Sequence, residues 1–170
     1  ANHGHDYERA LASLEAAHQA GVDAVKLQTY RADTLTIDCH NRYFQIQETI
    51  WQGKNLFQLY QDAYTPWEWF PRLQQRAKEL GISLFSTPFD VSAVDFLEQY
   101  DPPAYKIASF EIVDLPLIKY IAEKGKPVIM STGMASLGEI EEAVQTFRRA
   151  GGHDLCLLKC TSAYPAEPES

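Results

Sequence analysis

The chain has 170 residues, 45% of them hydrophobic, with a formal net charge of -8 and an isoelectric point near 5.1. That is enough apolar material for one core, and the acidic balance argues against a nucleic-acid partner. No apolar run approaches the roughly 20 residues that span a bilayer, so no membrane partner is expected and a cytoplasmic protein is the default. The cysteines, Cys39, Cys156 and Cys160, lack metal-ligand spacing and read as reduced core thiols.

Residues 6–20 put Tyr7, Ala10, Leu11, Leu14 and Ala17 at helical spacing, between Asp6 as N-cap and Gly21 as stop. A strand is predicted at 22–28. A connection of about 35 residues then runs to Thr65, long enough to suggest a lid or binding loop and holding a helix at 56–63. Thr65-Pro66-Trp67-Glu68 reads as a capping box opening a helix that stops at Gly81, with Pro71 expected to kink or delay it. Strands follow at 82–86, 105–108, 127–131 and 155–160. Helices alternate with them at 91–100 behind Asp90, at 115–124 behind Asp114, and from the Ser136/Glu139 capping box to 150.

Strict alternation of helices with near-continuous apolar strands is the mark of a parallel α/β sheet covered by helices. No GxGxxG turn is present, and polar residues gather at many strand ends rather than at one switch point. A TIM (β/α)8 barrel is therefore favoured over a doubly wound sheet. With five strands visible, the chain is expected to be a partial barrel, its first strand before Ala1 and the last βα units after Ser170.

The strands share a second pattern. VKLQT (25–29), YKIAS (105–109) and LLKCT (157–161) each carry a lysine near the C-terminal end, and LFSTPF (84–89) and VIMSTGM (128–134) end in hydroxyl residues. A lysine in an apolar strand must find an anion or lose its charge, so Lys26 and Lys106 are expected to meet an anionic ligand, while Lys159 divides evenly between that role and a structural one. Lys26 and Gln28 share a strand face. Lys106 does not share parity with Ser109 and Glu111, so the strand must end or bulge near Ala108 for the three to converge.

ANH (1–3), DAVKLQTY (23–30), FSTPFD (85–90), AYKIASFE (104–111), GKPVIMSTGM (125–134) and LLKCTSAYPA (157–166), in this order across essentially the whole chain, resemble the nonulosonic acid (sialic-acid-type) synthases. KIASFE in place of KIGSGE, lysine at 159 and the loop-helix stretch 48–69 resemble the pseudaminate-forming branch. The resemblance implies a transferase that condenses phosphoenolpyruvate with an open-chain 2,4-diacetamido-2,4,6-trideoxy hexose, releasing phosphate. Neuraminate or legionaminate synthesis is the near alternative, and a non-catalytic carbohydrate-binding barrel the alternative of another class.

By the same resemblance, Lys26, Thr87, Lys106, Ser109, Ser131 and Ser162 bind phosphoenolpyruvate. Gln28, Glu111 and Tyr164 face the sugar, and Glu111 and Lys106 are the catalytic pair. Glu111, a carboxylate among lysines, is expected to have a lowered pKa, suiting a base or acceptor. Also implied are a divalent metal of the Mg, Mn or Co type with ligands beyond this chain, a C-terminal antifreeze-like domain absent from it, and a homodimer at full length. No metal ligand is assigned here, and the 170-residue fragment alone is expected to be inactive.

Plainer roles compete at several positions. Ser86, Ser131 and Thr132 can be helix-opening hydroxyls, and Trp51, Trp67 and Trp69 packing residues rather than a sugar platform. Asn2 and His3 read as a loop that orders a glutamate on the preceding strand, and His3 with His5 lacks a third metal ligand.

Overall fold

The computed structural model describes residues 3–47 and 52–161. Ser162 and Tyr164, with Asn2 and Trp51, lie outside them. The five strands, β1 (Ala24–Thr29), β2 (Ser83–Pro88), β3 (Tyr105–Ile107), β4 (Val128–Ser131) and β5 (Leu155–Leu158), form one sheet in sequential order. β2, β3, β4 and β5 pair in parallel. A doubly wound sheet reverses direction at a switch point; this order never reverses, as in a run of a (β/α)8 barrel. The chain divides into two compact units, Ala1–Leu84 and Phe85–Ser170.

In the first unit, α1 (Tyr7–Gln19) is capped by Asp6, whose carboxylate accepts from the Glu8 and Arg9 amides. It is tied to α4 (Phe70–Leu80) by Arg76, which reaches Glu15 at 2.8 Å. Leu14, Phe70, Leu73 and Ala77 are buried. Pro71 delays the helix instead of kinking it: Trp67–Trp69 form a 3-10 turn, and proline then falls in the first turn of α4, where its missing N–H has no partner to lose. The predicted Thr65 capping box does not form, since no side chain caps this helix start.

The long connection holds the helix predicted at 56–63 and one short helix that the sequence did not suggest. A short helix α2 (Ala32–Leu35) follows β1, and α3 (Leu56–Ala63) is capped reciprocally by Asn55 and Gln58. Asn55, 3% exposed, also turns its amide nitrogen to Asp38 and to the Cys39 carbonyl, both at 3.4 Å. One buried amide thus caps a helix and gathers the loop before it.

In the second unit, α5 (Val91–Glu98), α6 (Leu115–Ala122) and α7 (Leu137–Arg149) bury Ala93, Val94, Leu97, Ile118, Ile121 and Phe147 together with the strand residues Tyr105, Ile107 and Met130. Asp90, Asp114 and Ser136 cap these helices as predicted. Gly152 is obligatory by contact, because a Cβ there would stand 2.4 Å from the Phe147 ring. Both β3 and β5 are shorter than the sequence suggested. The cysteines are free, but none is buried, so the reading of them as core thiols is corrected.

Candidate functional site

The strand ends of the second unit carry the most specific polar arrangement. β3 pairs with β2 on one side and β4 on the other, so Lys106 is 8% exposed. Its ammonium donates to the Ile107 carbonyl at 2.7 Å and to Ser131 Oγ, at the end of β4, at 2.5 Å. A buried cation is costly unless it is hydrogen-bonded, and the ends of two adjacent parallel strands supply these bonds.

The parity question is settled by termination. β3 stops at Ile107, and Ser109 adopts a helical backbone as the cap of a 3-10 turn at Phe110–Val113. Period-two geometry therefore does not govern Ser109 or Glu111. Thr87 is 1% exposed, and among the described residues its Oγ1 has no hydrogen-bond partner; the same holds for Glu111 Oε2 and Asp90 Oδ2. Buried polar atoms in native folds are nearly always satisfied, so such orphans mark places where something else can bond.

The expectation for Glu111 is overturned in sign. Burial raises its pKa above the ordinary carboxylate value; Asp114 adds to this, and a backbone hydrogen bond and Lys106 oppose it without prevailing. Lys106 directs its charge into Ile107 and Ser131, so desolvation wins at the carboxyl. The sequence reading gave Cys160, beyond the end of β5, only the role of a core thiol. The Ser131 hydroxyl is the chief influence holding its thiol below the ordinary range; burial opposes that, while Ser109 and Lys106 add to it. Lys159 is exposed.

The first unit holds a cavity of about 280 Å³ whose lining includes His3, Lys26, Gln28 and Thr65. Lys26 and Gln28 lie on the exposed face of β1, whose burial alternates along the strand. Surrounding atoms nevertheless lower the Lys26 pKa by desolvation. His3, placed by the sequence in a loop, is buried, and its Nε2 lies 3.1 Å from Thr65 Oγ1. Trp67 and Trp69 take packing roles: Trp67 donates to the Tyr30 carbonyl at 3.2 Å beneath the Arg31 guanidinium, and Trp69 stands edge-on to His3 and Tyr7.

Among the described residues no group of three histidine, cysteine, aspartate or glutamate side chains could hold a metal ion, and no helix is long and apolar enough to cross a membrane.

Comparison with known proteins gives this geometry a setting. The chain is 46% identical to the pseudaminic acid synthase of Helicobacter pylori over 169 residues, covering 99% of this chain and 50% of that protein. It is 43% identical to a pseudaminic acid synthase of Campylobacter jejuni, with 99% and 49% covered. It thus spans about half the length of the curated relatives it matches. The crystal structure of N-acetylneuraminic acid synthetase from Leptospira borgpetersenii in complex with citrate superposes with a TM-score of 0.84 at 31% identity, covering 99% of this chain and 54% of that one. The description of the NeuB family matches residues 13–170, and the chain belongs to that family.

Proposed function

We propose that the complete protein condenses phosphoenolpyruvate with an open-chain 2,4-diacetamido-2,4,6-trideoxy hexose to give pseudaminic acid and phosphate. The observation that carries this reading is the buried Lys106 ammonium bonded to Ser131 at 2.5 Å. It is a fixed cation with a hydroxyl beside it, the equipment a phosphate or carboxylate needs. Likeness to two pseudaminic acid synthases supports the choice of sugar.

In this reading Lys26, Thr87, Lys106, Ser109, Ser131 and Ser162 receive the phosphate and carboxylate oxygens, and Gln28, Glu111 and Tyr164 face the sugar. C3 of phosphoenolpyruvate bonds to the aldehyde carbon, the aldehyde oxygen takes a proton, water adds at C2, and phosphate leaves. Lys106 balances the negative charge of the phosphoenolpyruvate carboxylate and phosphate. Glu111, with its pKa raised by burial, suits donation of the proton to the aldehyde oxygen better than the acceptor role expected from sequence. The family resemblance also brings a divalent metal into the proposal. The described residues offer no ligand set for it, and no step is routed through it.

We place the protein in the cytoplasm, acting on phosphoenolpyruvate and an amino sugar without nucleic acid or membrane, as a homodimer. Residues 1–170 form part of the barrel domain, and the complete protein carries a C-terminal antifreeze-like domain.

The test is phosphate release by the complete protein with phosphoenolpyruvate and each candidate amino sugar. Preference for the 2,4-diacetamido-2,4,6-trideoxy hexose is expected. Preference for a neuraminate or legionaminate precursor would reassign the substrate, and rejection of all of them would overturn the enzymatic reading.

A further inference from the structure

Ser131 Oγ accepts from the Lys106 ammonium at 2.5 Å. Its own hydroxyl proton, among the described residues, gives no hydrogen bond to an oxygen or nitrogen. Sulfur is the atom it acts on: of the side chains that influence the Cys160 thiol, Ser131 does so most strongly, followed by Ser109 and Lys106. Backbone pairing puts the thiol there. Ser131 is in register with Leu158 across β4 and β5. The Leu158 carbonyl accepts from the Thr132 amide at 3.0 Å, from the Thr132 hydroxyl at 3.1 Å and from the Cys160 thiol at 3.5 Å. One carbonyl thus ties residue 160 to the end of β4. These contacts lie on the β4 side of β5, so a strand joined to its other edge leaves them in place.

Polar groups therefore follow one another from a buried cation to a carbonyl: Lys106, Ser131, Cys160, Leu158. The weak member is the sulfur. A thiol sulfur is a poor acceptor, whereas phosphate and carboxylate oxygens are strong ones, so an arriving anion takes the Ser131 proton at little cost. An apolar side chain at 160 would let the hydroxyl swing away from Lys106, and a carboxylate there would keep the proton from the ligand. Sulfur does neither.

We propose that Cys160 is a positioning residue of the anion site: its sulfur, held by the Leu158 carbonyl, keeps the Ser131 hydroxyl turned to Lys106 and leaves the hydroxyl proton for an anionic oxygen. This inference rests on the reading of Lys106 and Ser131 as phosphoenolpyruvate-binding groups.

The test is a double-mutant cycle on the complete protein, read by calorimetric titration with phosphoenolpyruvate, with folding checked by circular dichroism and thermal melting. Cys160→Ala should weaken phosphoenolpyruvate binding about fivefold, the scale of one weak hydrogen bond. Cys160→Val, which keeps the volume without an acceptor, should reproduce that loss, and Cys160→Ser should recover part of it. In a Ser131→Ala background, Cys160→Ala should change the affinity by less than about twofold, because the group it positions is gone. The sugar KM should also stay within about twofold. Equal losses with and without Ser131 would reduce Cys160 to a packing residue and overturn the inference, as would unchanged affinity in folded Cys160→Ala and Cys160→Val proteins. If the natural protein binds no phosphoenolpyruvate, the reading of the anion site fails and takes this inference with it; natural binding with unaffected Cys160 variants fails this inference alone.

Discussion

Lys26 and Lys106 occupy near-identical sequence settings, each a lone cation in a short apolar run, and end in different surroundings. Lys106 lies on β3, flanked by β2 and β4, and is buried with two short hydrogen bonds. Lys26 lies on β1, on that strand's exposed face. Burial of a strand residue is decided by the neighbouring strands as much as by its own segment. The two lysines should therefore differ in what their removal does: one supports both fold and ligand, the other ligand alone.

The largest effect is expected from Lys106→Met. It leaves Ser131 Oγ and the Ile107 carbonyl without their donor, a stability loss of about 1–3 kcal/mol, and removes the buried cation, lowering kcat/KM about a thousandfold. Urea unfolding and steady-state kinetics of the complete protein read both. Lys26→Met should raise the phosphoenolpyruvate KM by about ten- to a hundredfold with the melting temperature unchanged. Equal destabilisation by the two variants would erase the contrast between the strands.

A smaller effect sharpens the electrostatics of the second unit. Because burial raises the Glu111 pKa, the folded protein holds that proton more tightly than the unfolded chain. Stability therefore falls as pH rises from the ordinary carboxylate range up through the raised value. Glu111→Gln should flatten that slope, measured by urea unfolding across a pH series. A slope identical to the natural protein's would return Glu111 to the ionised role first expected for it.

Much of this was legible in the chain. Alternating apolar strands and capped helices gave the parallel architecture, because Asp90, Asp114 and Ser136 act within one turn of themselves. The Thr65 cap failed because its competitor is His3, 62 residues away, and no local rule carries a partner at that distance. The Asn55 cap escaped notice because Asn55 follows a glycine and a lysine, with no hydrophobic staple before it.

The lysine and serine motifs pointed to Lys106 and Ser131, since residues at the ends of adjacent parallel strands must approach one another. What the motifs could not give was the sign at Glu111. Sequence counts nearby charges, whereas the pKa is governed by how far water is excluded and by where Lys106 sends its hydrogen bonds. Cys160 was read as a plain core thiol for a related reason: its setting depends on Ser131 and Ser109, neither adjacent in sequence.

The central claim is that the Lys106–Ser131 pair holds an anionic substrate. Calorimetric titration of the complete protein with phosphoenolpyruvate, before and after Ser131→Ala, tests it most directly. Affinity should fall about ten- to a hundredfold, as for a lost hydrogen bond to a charged group, with the fold intact by circular dichroism. Unchanged affinity in a folded Ser131→Ala protein would contradict the account.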